Sequence, residues 1–95
     1  MLLIPHPSPF LSQLDEEHFF GWLKDIPAVK SVTGTPRGLA LDLAEPIDTE
    51  SFAELVGLMT RYGLDQRCLR PLAESNPDPS LRDPVKYWHQ SVFGA

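Results

Sequence analysis

Proline placement decides where regular structure can go in this chain. Ten of the 95 residues are proline, about twice ordinary usage. An interior proline costs a helix about 3 kcal/mol. Helices therefore belong to the proline-free windows at residues 10–26, 47–70 and from 85 onward. Pro5, Pro7 and Pro9 predict an extended arm over residues 1–11. Pro27, Pro36 and Pro46 separate short segments. Pro71, Pro77, Pro79 and Pro84 crowd a stretch read as a proline-rich connection over residues 73–82.

One local device recurs in these windows. An aliphatic residue precedes Asp, and an apolar residue follows four positions after it: Leu14-Asp15 with Phe19, Ile47-Asp48 with Phe52, Leu64-Asp65 with Leu69. Asp is a strong N-cap, worth about 1 kcal/mol over Ala, and the flanking pair makes a hydrophobic staple. The first helix is predicted over residues 16–24, with Phe19, Trp22, Leu23 and Ile26 as its buried stripe. A second is predicted over 49–62, with Phe52, Leu55, Val56, Met59 and Tyr62 inward. Glu50, Glu54, Gly57 and Arg61 lie on its opposite face. Gly63 suits the C′ position, with Leu64 covering the end.

Between these helices the chain reads as a hairpin. Residues 28–33 make a weak strand and residues 34–38 carry turn chemistry. Leu39, Leu41 and Leu43 alternate with Ala40 and Asp42, which predicts one buried face. Two strands alone are marginal, so the hairpin must pack on helices, gain a third strand or pair with another chain. Residues 65–72 suggest a helical turn, with a strand as the second choice. Asp83-Pro84 reads as N-cap and N1 of a last helix over 84–93, with Val85, Trp88 and Val92 on one face. The expected fold is a single α+β domain over residues 1–95, with helices packed on a small antiparallel sheet.

Charge is divided unevenly. The net charge is −5. Residues 1–60 hold nine acids against three bases, and residues 61–95 four against five, giving −6 and +1. This balance disfavours a general nucleic-acid or anionic-membrane binder, since both need a basic face. Capping acids and solvated helix faces account for such a pattern. So does an acidic patch for a basic protein, with Asp15, Glu16, Glu17, Asp48, Glu50 and Glu54 as candidates.

Residues that would carry catalysis do not cluster in the sequence. His6, His18 and His89 are far apart, and His18 and His89 read as partly buried structural residues. One cysteine, Cys68, excludes a disulfide framework within the chain and a cysteine-based zinc site. As a nucleophile it would need a histidine brought to it by the fold. No phosphate-cradling glycine motif occurs. Arg61, Arg67 and Arg70 near Tyr62 would stack a nucleotide or, on the preferred reading, neutralise the acidic half. Gly57 admits close approach by a partner or another segment. No catalytic residue, metal or cofactor is expected. The apolar start lacks the features of a signal peptide, and with one thiol the expectation is a cytoplasmic protein.

The chain also resembles a known group. Glu16-Glu17 stands ahead of Phe19-Phe20 and Trp22-Leu23. A leucine hairpin follows, then Arg61-Tyr62-Gly63 closing a helix. The end runs Asp83-Pro84, Tyr87-Trp88-His89 and Val92-Phe93-Gly94. This is similar to the small orphan immunity proteins encoded beside polymorphic toxins, including those of contact-dependent growth inhibition. The likeness spans residues 12–94 and carries over no functional residue. It implies a cytoplasmic, non-enzymatic inhibitor that binds one toxin domain, often a nuclease, and masks its basic substrate surface. The alternatives are a small enzyme or ligand-binding regulator using Cys68 or a histidine, and an interaction subunit or homodimer joined through the hairpin edge.

Overall fold

The computed structural model describes residues 2–5 and 12–94. Three strands form one antiparallel sheet: β1 (Leu2–Ile4), β2 (Val29–Thr35) and β3 (Gly38–Leu43), in the order β1-β3-β2. The helices are α1 (Gln13–Asp25), α2 (Thr49–Arg61), α3 (Arg70–Ser75) and α4 (His89–Phe93). The expected α+β architecture is present.

The third strand comes from the N-terminal segment. Leu2 pairs with Leu41 and Ile4 with Leu39, so the side chains of Leu2 and Ile4 enter the core beside the leucines of β3 while Leu3 faces outward. Burial of these alternating residues drives the pairing. The outer face departs from the expected pattern, because Ala40 is buried as well. As the central strand, β3 has neighbours on both edges. The hairpin turn is shorter than residues 34–38: Gly34 and Thr35 are in β2, and only Pro36-Arg37 separates the strands. Of the arm read over 1–11, residues 6–11, His6 among them, lie outside the described residues.

Helix α1 begins three residues before its expected start. The cap is Ser12, whose Oγ accepts the Asp15 N–H at 3.1 Å, not Asp15. The Leu14–Phe19 staple consequently fails: Leu14 is 66% exposed while Phe19 is buried. Helix α2 follows expectation closely. Asp48 Oδ2 accepts the Ser51 N–H at 3.0 Å, and Ile47 and Phe52 on either side are buried. At its end, Gly63 takes φ 68°. The Leu64 N–H returns to the Met59 carbonyl at 2.8 Å and Gly63 to Thr60 at 3.3 Å, the paired bonds of a Schellman ending.

The C-terminal third departs most from the sequence reading. Asp65 caps a 3₁₀ turn, Gln66–Leu69, that runs into α3. The strand alternative for residues 65–72 is therefore excluded, and Pro71 sits in the first turn of α3, where its missing N–H costs nothing. The connection over 73–82 is itself partly helical, holding the end of α3 and a second 3₁₀ turn, Pro79–Arg82. One Arg82 guanidinium nitrogen donates to the Ala73 and Asn76 carbonyls at 2.8 Å each, closing the end of α3. The last helix is only His89–Phe93, not 84–93. Asp83 makes a turn instead, accepting the Val85 N–H at 2.9 Å. Val85 is 88% exposed and does not share a face with Trp88 and Val92, which are buried. Trp88 reaches back to donate its indole N–H to the Leu81 carbonyl at 3.1 Å. It packs beside Phe52 with ring centres 5.4 Å apart. That tertiary anchor outweighs continuation of the helix.

Candidate functional site: an acidic pocket between the two long helices

Helices α1 and α2 run antiparallel. The Tyr62 hydroxyl, just past the end of α2, donates to the Asp15 carbonyl near the start of α1 at 3.3 Å. Seven residues along α1, the Trp22 indole N–H donates to Glu54 Oε2 at 3.0 Å. The ring edge also lies over Gly57, where an added Cβ would stand 3.6 Å from Trp22 Cζ2. The close approach expected at Gly57 is thus made by a segment of the same chain.

This pairing separates the six candidate acids. Asp15, Glu16 and Glu17 sit at one end of the helix pair, Asp48 and Glu50 at the other. Ten residues of helix, about 15 Å, separate Asp15 from Asp25. That exceeds the Debye length of about 8 Å at physiological salt, so the two groups act as separate patches. Asp48 is engaged by α2. Hydrogen bonding from Ser51 holds its carboxyl below the usual carboxylate range.

At the Asp48 end, a pocket of about 470 Å³ opens between the helices. Trp22, Pro27 and Ala53 supply apolar wall. Asp25, Glu50 and Glu54 supply carboxylates. All three acids are exposed, and Trp22 is half-buried. Between described residues the only ion pair is Arg67–Asp65 at 2.9 Å. No base among the described residues forms an ion pair with a carboxylate of this pocket, Lys24 beside Asp25 included. No group of three or more His, Cys, Asp or Glu among the described residues is placed to hold a metal ion. The three carboxylates share a cavity without converging on a point.

Trp22 and Asp25 were not among the sequence candidates. Their i, i+3 spacing puts them on one face of α1, as i, i+4 spacing does for Glu50 and Glu54 on α2. No local signal joins the two pairs, since only the tertiary pairing does so.

The other candidates are differently placed. His18 is exposed rather than partly buried, and His89 is half-buried with its ring 5.2 Å from that of Phe93. Cys68 Sγ lies 4.0 Å from Met59 Sδ. Burial first, then the Asp65 charge, pushes its thiol up to about 11. No hydrogen bond from a histidine reaches it among the described residues. The arginines do not neutralise the acidic half as expected. Arg67 pairs with Asp65, Arg70 donates to the Val92 and Gly94 carbonyls at 3.3 Å each, and Arg61 lies over the Tyr62 ring at 5.9 Å.

No helix among the described residues is long and apolar enough to cross a membrane. Comparison with protein-family models, curated proteins and solved structures returns no match.

Proposed function

We propose that this chain is a non-catalytic, acidic inhibitor that binds a basic surface of a partner protein, as an immunity protein neutralises its toxin. The supporting observation is the pocket between α1 and α2, where Asp25, Glu50 and Glu54 surround Trp22 and form no ion pair with a base among the described residues. Carboxylates left unpaired at a concave, partly apolar surface complement a cationic partner, and Trp is enriched where such contacts carry binding energy. A nuclease toxin domain suits this surface best, because its substrate groove must be basic to hold phosphate. Covering that groove requires shape and charge, and no chemistry. The reading places the protein in the cytoplasm, where the single thiol stays reduced.

The test is coexpression with the product of the neighbouring gene, followed by copurification and association kinetics. A stable complex is expected, with toxin activity blocked and an association rate that falls as salt rises. The E50K/E54K chain should associate roughly tenfold more slowly while keeping its circular dichroism spectrum. A chain that turns over a substrate by itself, or a partner whose association ignores both salt and E50K/E54K, overturns the reading.

A further inference from the structure

Building on the reading of the chain as a binder of basic protein, we propose that the pocket between α1 and α2 receives one arginine side chain of the partner. The two kinds of wall identify the occupant. Trp22, Pro27 and Ala53 offer apolar surface, and Asp25, Glu50 and Glu54 stand at separate positions around it. A volume of about 470 Å³ lies in the range of sites that enclose small ligands. A bare metal ion does not suit carboxylates that fail to converge. A lysine ammonium is compact and strongly hydrated, so it would engage one carboxylate and leave the apolar wall unused. A guanidinium is planar, weakly hydrated and carries five donors around its rim. It satisfies carboxylates on different sides while its faces rest against aromatic and aliphatic carbon.

Charge complementarity is reinforced by preorganisation. The Trp22 ring is held by the Glu54 carboxylate at its N–H and packs over Gly57. Little side-chain freedom remains to be lost on binding, which lowers the entropic cost of association. The pocket also lies at the C-terminal end of α1, where the helix carbonyls favour a cation. The opposing amide end of α2 is capped by Asp48.

The test needs no partner. The full ¹⁵N-labelled chain is titrated at low salt with N-acetyl-arginine amide, N-acetyl-lysine amide and N-acetyl-citrulline amide, and both indole N–H signals are followed. The Trp22 signal, assigned with W22F, should move saturably with the arginine probe while Trp88 stays still. The lysine probe should bind about threefold or more weakly, and neutral citrulline should leave the signal unmoved. The E50Q/E54Q chain, with unchanged circular dichroism, should lose about tenfold in arginine affinity. Equal response to lysine, drift without saturation, or indifference to E50Q/E54Q overturns the arginine site. Such a failure leaves the inhibitor reading to copurification. A saturable arginine site in a chain that captures no partner separates the two the other way.

Discussion

The Trp22 indole N–H donates to the Glu54 carboxylate at 3.0 Å, joining two helices through residues 32 positions apart in the chain. Hydrogen bonds to charged groups contribute about 1.5–3 kcal/mol when shielded. Glu54 is exposed, so screening reduces this to roughly 0.5–1 kcal/mol. A double-mutant cycle of W22F and E54A in urea should return a coupling of that size. A coupling of zero would show that the bond does not form in solution.

Gly57 interrupts α2 beneath the same ring. Glycine within a helix costs about 1 kcal/mol relative to Ala. The added methyl would meet Trp22 Cζ2 at 3.6 Å, an ordinary contact. G57A is therefore expected to stabilise the fold by about 0.5–1 kcal/mol, seen as a higher urea midpoint. Destabilisation would mean that the ring lies closer to the helix.

Gly38 opens β3 with φ 145°. A Cβ there would collide with the Ile4 carbonyl of β1. G38A should cost about 2 kcal/mol or more by straining the turn and displacing the strand that carries Leu2 and Ile4 into the core. Hydrogen exchange should show faster amides in residues 2–4 and 39–41, with those of α2 much less affected.

Cys68 should behave as a sluggish thiol. Its folded value near 11 lies above the ordinary 9.0. Holding the thiol neutral stabilises the fold fully below about pH 9, and that contribution is lost as pH rises from 9 towards 11. At pH 8 the folded chain should react with a disulfide reagent about 100-fold more slowly than the chain in denaturant. Comparable rates would place the sulfur in solvent.

Asp48 acts in the opposite direction. Hydrogen bonding from Ser51 lowers its folded value below 3.8, so the cap stabilises the fold above that pH and weakens as pH falls through the folded value. D48A should cost about 1 kcal/mol at neutral pH, and the deficit should narrow in acid. A deficit constant from pH 7 to pH 2 would assign the loss to packing rather than to the carboxylate.

Where structure follows from neighbours a few residues away, the sequence was informative. The Asp48 cap, its staple and the Gly63 ending all depend on local donors and acceptors, and each is in place. Ser12 was missed, although Ser followed three residues later by Asp, ahead of an apolar run, is a helix-start pattern. It competed with the Leu14-Asp15 staple, and the earlier cap prevails by satisfying a backbone N–H of the first turn. The last helix could not be read locally. Asp83-Pro84 is a sound start, yet Trp88 bonding to Leu81 and packing on Phe52 hold residues 84–88 in turns.

What the sequence determined by itself is the α+β class, the position of α2, the leucine face of the hairpin and the excess of acid in its first sixty residues. Periodicity, proline and caps are short-range forces, and they act before the chain has a shape. The tertiary structure alone decided that the N-terminal residues supply the third strand, and that α1 and α2 pair in opposite directions. That second choice sets Asp25 and Trp22 beside Glu50 and Glu54, and moves Asp15, Glu16 and Glu17 to the far end. Burial of both helices in one shared hydrophobic core selects the arrangement, and such packing leaves no trace in residue spacing.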